Sequence, residues 1–159
     1  MLITTSRNAS AETKQFAKGL SLSFPNSKYV SRNEKSIDAL VEDARYSGIK
    51  KLLIVHDADG KPARLVCMGI SEESWHYEFS AGISLQKQRD KKSRQGFSSL
   101  KLQVKSAKMR KFIKILGIEN EGDSEFALKE QNSAINFYSG KKETGPKFKI
   151  LGIKYEKEL

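Results

Sequence analysis

Acid–base or metal chemistry in this chain would have to come from His56, Asp57 and Asp59, the lone Cys67, the adjacent carboxylates Glu72 and Glu73, and His76. The first three stand where an apolar run, Leu52 to Val55, gives way to Asp59-Gly60, a dipeptide that turns one strand into the next. Turn chemistry therefore accounts for these carboxylates. Neither histidine has metal-ligand spacing to the other or to a cysteine pair. The patterns G-x-x-x-x-G-K-[ST], G-x-G-x-x-G and G-x-S-x-G are absent, and with them the usual phosphate cradles and nucleophile elbow. The expectation is a chain without catalytic residues, metal or cofactor.

A second kind of chemistry, the attraction of a polyanion, is written far more strongly. The formal net charge is +10, and it is unevenly spread. Residues 1–80 carry 11 lysines and arginines against 10 carboxylates, whereas residues 81–159 carry 18 against 9. Within the second half, Lys87, Arg89, Lys91, Lys92, Arg94, Lys101, Lys105, Lys108, Arg110, Lys111 and Lys114 fall in 28 residues that contain one carboxylate, Asp90. Such a run is either a solvated face that aids solubility or a surface for phosphates, where each neutralised phosphate releases a condensed counterion. The lopsided distribution favours nucleic acid. Arg7, with Thr4, Thr5 and Ser6 just before a helix N-terminus, is a further candidate, because free N–H groups and the helix dipole favour an anion there. Ordinary capping explains those hydroxyls as well.

The elements that must position these cations follow from periodicity. Leu2 to Thr5 reads as a strand leading into a helix capped by Ser10, with Phe16, Ala17 and Leu20 on its apolar side and Pro25 as its stop. A short strand at Tyr29 and Val30 precedes a second helix, capped by Ser36, whose Ile37, Leu40, Val41 and Ala44 recur at helical spacing until Gly48. Leu52 to Val55 and Leu65 to Ile70 read as a hairpin, with Cys67 buried in its second strand. One cysteine forms no intramolecular disulfide, which suits a reducing compartment.

From Trp75 the chain alternates, so Trp75, Tyr77 and Phe79 should share one face of a strand. Aromatics so spaced can stack bases in single-stranded RNA modules, but they also build cores. They lie outside the basic segment and are expected in the core. Lys87 to Gly96 reads as a loop, Leu100 to Val104 as a strand, and Ser106 as the cap of a third helix. Its Met109, Phe112, Ile113 and Leu116 form an apolar stripe that leaves Arg110, Lys111 and Lys114 outside. Phe126 to Leu128, Ile135 to Tyr138 and Phe148 to Tyr155 close the chain as strands. The expected fold is α/β, with mixed sheet and packed helices. The repeated strand-to-helix unit, at Leu2 and again at Leu100, suggests one domain over 1–159 made of similar halves, 1–80 and 81–159. No window approaches the ~20 apolar residues of a membrane helix, and Met1 to Thr5 has no signal-peptide pattern, so a soluble, cytoplasmic protein is expected.

Two segments add a family resemblance. Leu2-Ile3-Thr4-Thr5-Ser6-Arg7 at the start, and Glu143-Thr144-Gly145-Pro146-Lys147-Phe148-Lys149-Ile150 near the end, resemble the opening and the E-x-G-P-[KR]-[FM] signature of the Brix family in its archaeal form. Asn33 departs from the pattern, standing where many members have glycine after Arg32. The resemblance implies a duplicated α/β domain similar to the anticodon-binding domain of class IIa aminoacyl-tRNA synthetases, without catalytic residues. It further implies that ribosomal RNA or its precursor is the partner, in pre-rRNA processing and ribosome biogenesis, together with other ribosome-assembly proteins. A protein-interaction scaffold whose basic face meets an acidic partner is the alternative.

Overall fold

Residues 1–156 are described by the structure, a computed structural model. The first half runs β1 (Leu2–Thr5), α1 (Ala11–Ser23), β2 (Lys28–Tyr29), α2 (Ile37–Tyr46), β3 (Lys51–Ala58), β4 (Lys61–Ile70) and β5 (Trp75–Lys87). The second runs β6 (Lys101–Gln103), α3 (Ala107–Ile115), β7 (Phe126–Gln131), β8 (Ala134–Ser139), β9 (Lys142–Glu143) and β10 (Lys147–Tyr155). All the strands join one mixed sheet in the order β2-β1-β3-β4-β5-β10-β8-β7-β6, with β9 attached to β8. The fold is therefore α/β, as the periodicity indicates.

The sheet contains the same sequence of pairings twice. β1 lies parallel to β3, which continues antiparallel to β4 and β5; β6 lies parallel to β7, which continues antiparallel to β8 and β10. The two runs meet where β5 pairs antiparallel with β10. A helix follows the leading strand in each run, whereas β2 and α2 have no counterpart in the second. The point between residues 80 and 81 falls inside β5, not in a linker.

Each helix starts where its hydroxyl says it should. Ser10, Ser36 and Ser106 accept hydrogen bonds from the backbone N–H groups of Thr13, Ala39 and Met109. The leading helices gain a second cap from the neighbouring strand. Asp57 on β3 accepts from Ser10 N at 2.9 Å, from the Thr13 hydroxyl at 2.6 Å and from Gly60 N at 3.0 Å. Glu130 on β7 accepts from Lys105 N at 2.8 Å and Ser106 N at 2.9 Å, and from the Ser106 hydroxyl. Asp57 is thus spent on holding α1, so the α1 N-terminus is filled by a carboxylate of the chain itself and its hydroxyls serve as ordinary caps.

The Thr13 hydroxyl and the Ser10 N–H and hydroxyl hold the Asp57 carboxyl at about 2, below the usual 3.8. A carboxyl whose folded value is depressed stabilises the fold above its unfolded value, and that contribution fades as pH falls toward about 2. Asp57→Asn is expected to cost about 1–2 kcal/mol at neutral pH, the size of a lost charged cap. The difference from wild type should narrow as urea unfolding is repeated below pH 4; a gap that stays constant would deny the carboxylate this role.

Two apolar layers cover the sheet. On one face α1 and α3 pack over a single core that includes Phe79, Phe137 and Phe148, while on the other α2 covers Leu2, Leu52, Ile54, Val66 and Met68. In the larger core the halves are interlocked. Phe16 of α1 meets Phe148 of β10 edge-on at 5.3 Å, Phe24 at the end of α1 meets Phe137 of β8 at 5.5 Å, and Phe112 of α3 meets Phe79 of β5 at 4.9 Å. Each helix thus packs on strands of the opposite half. Such ring pairs contribute about 0.5–1.5 kcal/mol each beyond the area they bury.

The aromatic face expected of β5 is divided. Cys67 pairs with Phe79 but Met68 with Tyr77, so Glu78 is an extra residue and the strand changes parity at that bulge. Phe79 enters the α1–α3 core, Trp75 packs on the α2 side with its indole N–H donating to Asp38 at 3.1 Å, and Tyr77 is 42% exposed. Cys67 is buried, and burial pushes its thiol up. Lys87, expected in the loop, is the last residue of β5. One motif departure and one motif residue also resolve physically: Asn33 has φ 46°, a left-handed conformation that asparagine tolerates where glycine is common. Gly145 has φ 66°, and a Cβ there would stand 2.8 Å from the Gln88 carbonyl oxygen.

Candidate nucleic-acid interface

The cations that sequence reading grouped together fall into several places. On α3, Met109, Phe112, Ile113 and Leu116 are buried, and Lys108, Arg110, Lys111 and Lys114 are exposed on the outer side. Among the described residues, none of these four makes an ion pair within 4.0 Å. The Lys111 ammonium sits 3.7 Å from the centre of the Tyr155 ring, an attraction between cation and ring face that fixes its direction. Burial works to raise the Glu130 carboxyl, but the Ser106 and Lys105 donors and nearby Arg110 outweigh it and hold the group low. The cap therefore stays anionic and is already satisfied.

Beyond α3 lies β6, the edge strand of the sheet. Arg110 and Lys114 border a cleft whose inner wall is Leu102 and Val104. Because Leu102 packs against the core, Lys101 and Gln103 leave β6 on the opposite face. Among the described residues, no helix of the second half lies over that face. Where α2 covers leucine, isoleucine and valine on β1, β3 and β4, the corresponding strands present a shallow depression lined by Gln103, Lys105, Lys129, Asn136, Tyr138 and Lys147. Lys149 and Leu151, the latter 62% exposed, continue it along β10. The Lys129 ammonium lies 4.3 Å from the Tyr138 ring centre. Lysine and arginine side chains therefore wrap around the β6 edge, from the outer side of α3 to the open sheet face.

The remaining sequence candidates do not join this surface equally. Lys91, Lys92 and Arg94 are exposed on the loop that crosses α1, where Phe97 N donates to the Leu22 carbonyl at 2.7 Å. Lys87 lies 3.7 Å from Glu143, and Asp90 meets Lys142 at 3.4 Å. Arg89 has to be removed from the candidates: it is 6% exposed. Its guanidinium donates to the Ser23 hydroxyl at 2.6 Å and to the carbonyls of Gln95 at 2.9 Å and Ser93 at 3.3 Å, and it lies 4.4 Å from the centre of the Phe97 ring. A group consumed by four internal contacts holds the loop and is not offered to a ligand. Arg7 is exposed at the other end of the molecule, among residues of the first half.

Sequence reading missed Lys129, Lys147, Lys149, Gln103, Asn136 and Tyr138, because they lie outside the dense basic run or carry no charge. A signal existed. Lys101 and Gln103 on β6, Lys129 and Gln131 on β7, Asn136 and Tyr138 on β8, and Lys147 and Lys149 on β10 each alternate with apolar residues of the core, which marks one face of four adjacent strands as polar. Among the described residues no three of His, Cys, Asp and Glu come together as metal ligands would, and no helix is long and apolar enough to cross a membrane.

No family model matches the chain. Known proteins do. A probable Brix domain-containing ribosomal biogenesis protein of Thermococcus kodakarensis is 35% identical over 91 residues, 55% of this chain and 44% of that protein. The protein of the same description from Pyrococcus furiosus is 35% identical over 91 residues, 41% of its length. The U3 small nucleolar ribonucleoprotein protein IMP4 of Bos taurus is 39% identical over 66 residues, covering 42% of this chain and 23% of that one. The chain thus matches less than half the length of these curated relatives. Among solved structures, a probable ribosomal biogenesis protein from Aeropyrum pernix K1 superimposes with a TM-score of 0.74 at 19% identity, covering 94% of this chain and 93% of that one. Mil, an archaeal Imp4-like protein, does so with a TM-score of 0.71 at 17% identity, covering 98% and 99%. The resemblance to the Brix family thus holds: over 91 residues the chain is a homologue of the archaeal Brix domain-containing ribosomal biogenesis proteins, and it shares the fold of the two solved structures.

Proposed function

We propose that this protein is a non-catalytic assembly factor that binds ribosomal RNA or its precursor during ribosome biogenesis, in the cytoplasm and beside other assembly proteins. The observation that carries the reading is the cationic surface around the β6 edge, where Lys108, Arg110 and Lys114 make no ion pair within 4.0 Å among the described residues and continue into Lys101, Lys105, Lys129 and Lys147. Lysines and arginines so placed position a phosphate backbone, and carry no base information of their own. Relatives named for ribosomal biogenesis, and one named as part of a small nucleolar ribonucleoprotein, support ribosomal RNA as the polyanion. The common strand order and the matching caps of Asp57 and Glu130 support a duplicated unit, with β1 to β5 as one half and β6 to β10 as the other. That plan accords with a likeness to the anticodon-binding domain of class IIa aminoacyl-tRNA synthetases.

Ultraviolet crosslinking of the full chain to ribosomal RNA, followed by peptide mapping, tests the reading. Crosslinks are expected in peptides that contain β6, α3, β7, β8 and β10. Crosslinks confined to the α2 side would move the RNA off the β6 edge, and retention of the chain by acidic proteins in preference to RNA would favour the scaffold instead.

A further inference from the structure

The first half is nearly neutral by sequence, yet its folding collects cations at one point. Thr5 ends β1 beside Val55 of β3, and His56 follows directly. The Arg32 guanidinium, coming from the turn before α2, donates to the Thr5 carbonyl at 3.4 Å and to the Lys35 carbonyl at 2.7 Å. Arg7 donates to the Glu34 carbonyl at 3.3 Å in the same turn. Arg64 on β4 is the register partner of His56. His56 shares the parity of Leu52 and Ile54, and Arg64 that of Val66 and Met68, so both side chains leave the sheet on its α2 face.

Three arginines and a histidine are thus gathered from β3, β4 and the turns after β1 and before α2, and the charges are left uncompensated. Among the described residues no carboxylate lies within 4.0 Å of Arg7, Arg32 or Arg64. The carboxylates that come nearest in sequence are engaged or unpaired with them: Asp57 is held by Ser10 and Thr13, and Glu34 offers Arg7 its backbone oxygen. The repulsion is visible in the groups themselves. Burial and then Arg7 lower Arg32, and burial, Arg64 and Arg32 lower His56. Like charges held together destabilise a fold until an anion is placed among them. The position, outside the carboxyl ends of the parallel strands β1 and β3, is where open α/β sheets place ligands.

We propose that Arg7, Arg32, Arg64 and His56 form a second anion site that grips a phosphate of the bound RNA. The site rests on the RNA-binding reading, but it lies apart from the β6 edge and makes the first half an active contributor to binding. Guanidinium forks match phosphate oxygens in pairs, and Arg32, fixed by the Thr5 and Lys35 carbonyls, is oriented before the ligand arrives.

The test uses the full chain, a 20-nucleotide single-stranded RNA and fluorescence anisotropy across a salt series, with the His56 imidazole followed by NMR. Arg7→Gln/Arg64→Gln avoids the structural hydrogen bonds of Arg32, and circular dichroism confirms that the variant is folded. If the cluster holds one phosphate, that contact is worth about fivefold at ~0.1 M salt, so losing both arginines should weaken binding by about fivefold and flatten the salt slope by about 0.7. RNA should also raise the pH at which His56 titrates. An unchanged affinity and slope, with wild type still salt-dependent, would overturn this site and leave the β6-edge surface standing. Absence of RNA binding by wild type would remove both. If inorganic phosphate at the same concentration shifts His56 as fully as RNA does, the occupant is free phosphate and the assignment to RNA fails.

Discussion

Reversing Arg110, Lys111 and Lys114 to glutamate lowers the affinity for single-stranded ribosomal RNA by about a hundredfold or more at ~0.1 M salt, and the protein stays folded. The magnitude follows from counterion release. A single-strand slope of about −0.7 per phosphate makes each contact worth about fivefold at that ionic strength, and three contacts multiply. Reversal adds repulsion to the loss. The fold survives because the four apolar residues of α3 face the core and these three do not. The local cost is the Lys111–Tyr155 contact, ~0.5–1 kcal/mol, and the support that Arg110 gives the Glu130 cap. Anisotropy titrations with matched circular dichroism check the outcome. Unchanged affinity in a folded variant would clear α3 of the role.

Arg89→Ala should have the opposite signature, a large loss of stability with no change in the salt slope of RNA binding. The side chain ties Ser23 at the end of α1 to the carbonyls of Ser93 and Gln95, and roofs the Phe97 ring, which itself stacks on Phe126 at 4.2 Å. Burial lowers Arg89, with Asp90 pulling the other way, as expected of a guanidinium held by dipoles. Truncation leaves two carbonyls without their donor and a void against the rings, at a cost of about 3 kcal/mol. For a chain of this size that is roughly a 6–12 °C drop in Tm. Lysine should rescue little, because an ammonium cannot reproduce the fork. Scanning calorimetry and the salt series together separate this residue from those of α3. A variant of normal stability and flattened slope would return Arg89 to the RNA surface.

The contrast between these residues shows what a linear reading conveys. Ser10, Ser36 and Ser106 declare their helices because a cap acts over three residues, and the apolar spacing within α1, α2 and α3 states which side is buried. Charge density also declares a basic half. It does not say that Arg89 turns inward, since that depends on Ser23, distant in sequence, and on Gly19, whose missing side chain leaves room for the Arg89 stem: a Cβ there would stand 3.1 Å from the Arg89 Cβ.

The open sheet face was hidden for a different reason. Its lysines are shared among four strands that become neighbours only when β10 inserts between β5 and β8. The cluster of Arg7, Arg32, Arg64 and His56 likewise exists only in three dimensions, in a half whose overall charge is almost balanced. The bulge at Glu78 reassigns Trp75 and Phe79 to opposite layers, and one inserted residue carries no mark in the alternation that precedes it.

The account depends on RNA phosphates meeting a continuous set of lysines and arginines around the β6 edge, and the salt dependence of binding measures that directly. Association constants for a single-stranded ribosomal RNA fragment, taken between ~50 and ~200 mM salt, should fall on a log–log line of slope about −4 to −5, as six or so phosphate contacts require. A slope near zero at comparable affinity would mean that the cations are spectators, and would contradict the account.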